Sequence, residues 1–145
     1  MTLVTIFGGS GGIGRQVVKS LAKRGYQVRV AVRDPQAALF LKPMGDVGQI
    51  TPVQANIRDA DSVRRAVAGA DSVVNLVGIL HEGGAQRFDA VQGQGAASVA
   101  EAAAAAGVKS LVHISAIGAS ATSPSAYARS KAAGEAAICE AFPDA

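Results

Sequence analysis

Cysteine, tryptophan and long apolar runs are what this sequence has least of. Cys139 is the only cysteine among 145 residues, so no internal disulfide can form and a reducing, cytoplasmic setting is the default. There is no tryptophan, and aromatic residues reach only 4%. A core must therefore be built from Val, Ala, Ile and Leu, which suits a parallel sheet buried on both faces. Apolar residues nonetheless make up 49% of the chain, enough for one globular domain with a real core. No run of about 18 uninterrupted apolar residues occurs, so no transmembrane helix is expected. A strand signal begins at Thr2, which leaves no signal peptide expected. The net charge is only +3 and the basic residues are scattered, a pattern that does not indicate nucleic-acid binding. No metal site is assigned.

What is present is an alternation of strand and helix signals. Strands are expected over residues 2–7, 27–32, 49–54, 72–77 and 109–115. Helices are expected over 12–24, 59–68, 87–106 and 125–141, with a short helical piece over 35–41 anchored by Leu39 and Phe40. Gly25, Gly69 and Gly107 stop three of these helices, Asp59 or Asp61 stands near the N-cap of another, and Pro124 precedes the last. This order predicts a doubly wound parallel α/β sheet with strand order 3-2-1-4-5 and a ligand at the carboxyl ends of the strands.

The stretch FGGSGGIGRQ joins the first strand to the first helix, in which Ile13, Val17, Val18 and Leu21 recur at helical spacing. Half of its residues are glycine. Gly9, Gly11 and Gly14 give G-x-G-x-x-G, while Gly8, Gly11 and Gly14 give G-x-x-G-x-x-G. Either pattern alone is weak; between a strand and a helix it describes a phosphate cradle. Gly8, Gly9, Ser10, Gly11, Gly12, Ile13 and Gly14 are assigned to it. Glycine lets the backbone approach an anion, and the helix start presents free N–H donors with a partial positive charge. The ligand class implied is a dinucleotide.

Further residues narrow the choice. The second strand runs into Arg33-Asp34-Pro35, where an acidic side chain would hold a ribose 2′-hydroxyl and an arginine a 2′-phosphate. Arg33 favours NADP over NAD, with Arg15 adding charge. The alternative is a solvated Arg33 beside an Asp34 that caps the next helix. After the third strand, Asn56 either touches the adenine edge or only shapes the turn, and Ile57 packs on the adenine face. After the fourth, Val77 and Gly78 fall on the cofactor side, Gly78 being small enough for close backbone approach or simply for close packing.

Tyr127-Ala128-Arg129-Ser130-Lys131 puts a tyrosine and a lysine at i and i+4, on one face of a helix. A free phenol titrates near ~10, and a neighbouring ammonium stabilises the phenolate. Such a pair can move a proton to or from a substrate oxygen while Lys131 also holds the nicotinamide ribose. With Gly8-x-x-Gly11-x-x-Gly14, Arg33-Asp34-Pro35, Tyr127-x-x-x-Lys131, Pro124 and Glu135, the whole chain resembles the extended or atypical short-chain dehydrogenases/reductases, which include the NAD-dependent sugar-nucleotide epimerases and dehydratases. Within that branch, FGGSGGIGRQVV, NLVGIL and YARSKAAGE are most similar to the NADPH-binding accessory subunit of respiratory complex I and its bacterial relatives.

The resemblance implies either an NAD(P)-dependent oxidoreductase, epimerase or dehydratase acting on a small molecule, or a non-catalytic holder or sensor of NADPH peripheral to a membrane respiratory complex. Two departures stand out. Gly12 replaces a bulky apolar residue, which should loosen the start of the first helix slightly. Ile117 occupies the place of the Ser or Thr that hydrogen-bonds the substrate oxygen. Ser115 either substitutes for it or caps the strand, with Ser120, Ser123 and Ser125 as other candidates. His113 reads as packed inside the strand. The pattern also leads toward a sixth strand, so residues 1–145 are expected to be the front part of a longer chain.

Overall fold

The computed structural model describes residues 2–77, 87 and 89–145. Five parallel strands form one sheet in the order β3-β2-β1-β4-β5, as the alternation predicts. They are β1 (Leu3–Phe7), β2 (Gln27–Val32), β3 (Ile50–Gln54), β4 (Ser72–Asn75) and β5 (Ser110–His113). Pro52 lies in β3, an edge strand, where its missing N–H costs no ladder bond. Helices α1 (Gly12–Lys23), α2 (Ala60–Val67), α3 (Gly95–Ala105) and α4 (Ala126–Ala141) connect or follow the strands.

The sheet is buried on both faces, which is why its strands are aliphatic runs. Val4, Ile6, Val28, Val30 and Ile50 pack under α1 with Val18 and Ala22. Phe7, Ala31, Val73 and Leu111 face the opposite layer, where Val63, Val67, Val99, Ala103 and Ile138 come from α2, α3 and α4. Two polar groups cross that second layer with partners. The buried Thr5 hydroxyl donates to the Ala66 carbonyl at 2.8 Å, and the Arg29 guanidinium donates to Ala66 and Ala68 at 2.7 and 2.8 Å. They satisfy carbonyls that the end of α2 leaves open and place a cation at its negative pole.

Several boundaries differ from the sequence reading. Residues 35–41 become a longer 3₁₀ segment, Gln36–Met44. Its repeat of three turns Ala38 and Leu41 inward, at 1% and 0% exposure, and leaves the expected anchors Leu39 and Phe40 at 44% and 42%. Ile13 is not part of the apolar face of α1; it is 65% exposed at the helix start, and Val18 and Ala22 carry the burial. The long helix expected over 87–106 is a π-helical Asp89–Gln94 followed by α3. Gly93 and Gly95 weaken regular helix there. The buried Gln92 side chain instead donates to Ser130 Oγ at 2.6 Å, and its carbonyl abuts Gly134 of α4. Both β4 and β5 end two residues early, at Asn75 and His113. Asp59, not Asp61, caps α2, accepting from the Asp61 N–H at 3.1 Å.

Candidate functional site

A cleft of about 290 Å³ opens at the carboxyl ends of β1, β2 and β4. It lies where the chain, having laid β2 and β3 on one side of β1, crosses to lay β4 on the other. Gly8, Ser10, Gly11, Arg33, Asn56, Ile57 and Val77, all foreseen from sequence, line it together. So do Phe7, Ala31, Leu76 and Val91, which periodicity alone assigns to core; only their place at strand ends marks them as walls. Gly78 lies outside the described residues.

The glycines of the turn divide by what surrounds them. Gly8 has φ +81°, and a Cβ there would meet the Leu76 and Val77 backbone at 3.0 Å. A Cβ on Gly9 would strike Val30 at 2.7 Å, and one on Gly14 would lie 2.3 Å from the Gly8 carbonyl oxygen. These three are small because the protein's own atoms are close. Gly11 and Gly12 differ: a Cβ on Gly11 would touch only the Gly8 oxygen at 3.6 Å, and one on Gly12 nothing within 4 Å. Gly11 also gives α1 no side-chain cap, and the first turn has no acidic residue. The Gly11 N–H donates to the Gly8 carbonyl at 3.3 Å, while the turn is open in front and the first N–H groups of α1 have no side-chain cap, which fits the pyrophosphate of a dinucleotide.

At the end of β2 the two candidate selectors separate. Asp34 Oδ1 accepts from the Gln36 N–H at 3.1 Å and so caps the 3₁₀ segment, while Arg33 lines the cleft. Asn56 combines both of its alternatives: its Oδ1 accepts from Arg58 N–H at 3.0 Å, shaping the turn, and the residue still borders the cleft.

The Tyr127, Lys131 and Ser115 group lies apart from that lining, at the carboxyl end of β5 and on α4. Lys131 is 4% exposed and its Nζ donates to the Ile114 carbonyl at 3.1 Å. Burial pushes its ammonium below the ordinary lysine range, with Glu135 opposing. Ser115 Oγ is buried with no partner among the described residues, whereas Ile117 is fully exposed. His113 is packed, as expected, and carries a relationship that sequence did not suggest. Its Nδ1 lies 3.1 Å from Asn75 Nδ2, and Asn75 Oδ1 accepts from the Val77 N–H at 3.2 Å. Burial first, then Lys131, lower its pKa to about 4 against the opposing Glu135. No helix among the described residues is long and apolar enough to cross a membrane.

A glycine turn from the first strand into a helix, with a cleft where the strand order reverses, defines a dinucleotide-binding α/β protein. The chain belongs to the NAD(P)H-binding family, which matches residues 8–142. It is 38% identical over 144 residues to "NADH dehydrogenase [ubiquinone] 1 alpha subcomplex subunit 9, mitochondrial" of Mus musculus, covering 99% of this chain and 38% of the mouse protein. A ceramide reductase of Caulobacter vibrioides is 32% identical, over 99% of this chain and 44% of the reductase. Among solved structures, Pen from Bacillus thuringiensis superposes with a TM-score of 0.84 at 25% identity, over 97% of this chain and 45% of Pen. Vestitone reductase from alfalfa shares the fold, with a TM-score of 0.79 at 20% identity, over 97% of this chain and 52% of the reductase. The resemblance to short-chain dehydrogenases and to the respiratory-complex subunit thus holds, and the chain spans less than half the length of these curated relatives.

Proposed function

We propose that residues 1–145 form the nucleotide-binding part of a reductase-type short-chain dehydrogenase that prefers NADP(H). The observation that carries the preference is the division of labour after β2: Asp34 is engaged as a cap while Arg33 borders the cleft. An arginine there suits a 2′-phosphate, and an acidic side chain turned aside does not compete for a 2′-hydroxyl. In this reading Gly11–Ile13 receive the pyrophosphate, Asn56 and Ile57 border the adenine, and Val77 with Gly78 flank the ribose. The Arg33→Ala protein should bind NADPH roughly tenfold or more weakly, the scale of a charge-assisted hydrogen bond, with NADH little changed. Equal weakening of both in parallel titrations would show that Arg33 does not read the phosphate.

For the chemistry, a bound nicotinamide supplies or accepts a hydride. Tyr127 gives a proton to, or takes one from, a substrate oxygen, Lys131 supplies the adjacent positive charge, and Ser115 offers a hydroxyl near the end of β5. The relatives named as reductases favour a reduction, and a carbonyl group is the substrate class this chemistry suits. Tyr127→Phe should lower carbonyl-dependent NADPH oxidation by about 10²–10⁴-fold, the usual worth of a general acid, and leave the NADPH Kd unaltered.

A second reading is that the protein holds NADPH without turning it over, as a part or sensor peripheral to a respiratory complex at the inner membrane. Two points favour it: Lys131 is tied to the Ile114 carbonyl, and Ile117, which by the family resemblance takes the place of a Ser or Thr, is exposed. So does the similarity to the mitochondrial subunit. Tight NADPH binding by the unaltered protein, with no oxidation across a panel of aldehydes and ketones, would select this reading over the first. A cytoplasmic site for either form is part of the proposal.

A further inference from the structure

Charge is divided unevenly between the two layers that cover the sheet. No acidic residue precedes Asp34 in the sequence, and α1 carries Arg15, Lys19 and Lys23 without a carboxylate. Their spacing of four residues puts all three on one flank of the helix. Arg15 shows which way that flank faces, since its guanidinium carbon lies 4.7 Å from the ring centroid of Phe40. Lys19 and Lys23 therefore follow the 3₁₀ segment on the same side, and Lys42 joins them from the end of that segment. The side chains of Lys19, Lys23 and Lys42 are exposed and meet no carboxylate among the described residues. The opposite layer mixes its signs: Arg64 pairs with Asp61, and Glu101, Glu135 and Glu140 come from α3 and α4.

The same flank holds apolar side chains that the core does not use. Leu39 and Phe40 are exposed, and Val47 stands fully in solvent. The loop that carries Val47 is tied to the end of α1, because the Gln49 side chain donates to the Ala22 and Tyr26 carbonyls at 2.8 and 2.9 Å. Scattered singly, such residues need no explanation; gathered beside a row of lysines they describe an interaction surface. Its composition names the partner. Lysine is depleted at protein–protein interfaces, and a nucleic-acid backbone has little to offer Leu39 or Val47. A bilayer of anionic lipid takes both kinds of side chain. Its headgroups receive the ammonium groups, and the apolar tips enter the acyl boundary beneath them.

We propose that the flank formed by α1, the 3₁₀ segment and the Val47 loop is a docking surface for an anionic membrane. Helix α1 and the 3₁₀ segment both run from the carboxyl end of the sheet to its amino end. The nucleotide cleft thus lies at one margin of the surface and stays open when the surface is occupied. Neither the choice of cofactor nor turnover bears on the docking.

The test is flotation of the protein with vesicles. Phosphatidylcholine and phosphatidylglycerol in equal parts are expected to carry it, and phosphatidylcholine alone is not. Lys19→Gln, Lys23→Gln and Lys42→Gln combined should weaken binding to the mixed vesicles by roughly a hundredfold, about fivefold for each charge. The circular dichroism spectrum and the NADPH affinity should not change, because the three side chains lie outside the cleft and the core. Val47→Ser should cost roughly fivefold on the same vesicles. The chain has no tryptophan, so Phe40→Trp supplies a single reporter whose emission should shift to the blue on the mixed vesicles. Flotation on neither kind of vesicle, or equally on both, would overturn the proposal. So would a triple variant that floats as its parent does, or a tryptophan emission that stays put while the protein floats. A DNA duplex or polyglutamate bound as tightly as the mixed vesicles, with Val47→Ser lowering neither, would make the flank a general polyanion surface and overturn the proposal as well.

Discussion

A Gly11→Val protein is expected to keep its fold and lose its nucleotide. The backbone at Gly11 is extended, at φ −74° and ψ −179°, which valine adopts readily. Its Cβ would meet only the Gly8 carbonyl oxygen at 3.6 Å, an ordinary contact. Glycine is a better N-cap than valine, so helix α1 should lose up to about 1 kcal/mol and the Tm a few degrees. Binding is another matter. Two methyl groups would stand in the open space before the uncapped start of α1. NADPH affinity should fall by at least about a hundredfold, well over 2 kcal/mol, with the far-ultraviolet circular dichroism spectrum preserved. Undiminished NADPH affinity in a fluorescence titration would mean that the phosphate does not lie on this turn.

Gly14→Ala is expected to do the reverse and strike the fold itself. The new methyl would sit 2.3 Å from the Gly8 oxygen and 2.7 Å from the Gly9 backbone carbons. None of those atoms belongs to a side chain that can swing away. Helix α1 would have to lift from the turn and give up part of its seat on Val30 and Ile6. Overpacking of this kind costs about 3 kcal/mol or more, a fall in Tm on the order of 10 °C for a chain of this length. Gly12→Ala is the control. Nothing lies within 4 Å of a Cβ there, and alanine is the better helix former by up to about 1 kcal/mol, so urea midpoints should separate the two variants in opposite directions. A Gly14→Ala protein as stable as its parent would show that α1 is not clamped to the turn.

The fold was legible because each level of the chain agreed. Aliphatic runs suited to double burial, helices closed by glycine and a glycine turn after the first strand allow few other topologies. The lining of the cleft was legible for a related reason, since the ends of parallel strands are where the backbone must leave the sheet. What could not be read was pairing across space. Phe40 looks like an anchor in one dimension; only the three-residue repeat of the 3₁₀ segment turns it outward and under Arg15. The helix expected over 87–106 failed because the burial of Gln92 depends on Ser130 and Gly134, some forty residues later in the chain. Asn75 gave no signal at all: it lay inside the strand expected over 72–77, and its partners on β5 are not adjacent in sequence.

That asparagine settles how many charges stand at the end of β5. The Val77 N–H holds the Asn75 carbonyl oxygen on one side, so the amide can offer only hydrogen to His113 on the other. A proton added at Nδ1 would place one N–H against another. That arrangement favours a hydrogen on Nε2, which is buried without a partner among the described residues, and burial first, then Lys131, lower the pKa of the ring to about 4. Across the whole range in which a free histidine would switch on and off, His113 adds no positive charge beside Lys131. A fall of one pH unit from neutrality would therefore put no new charge on the imidazole that faces the tyrosine–lysine helix.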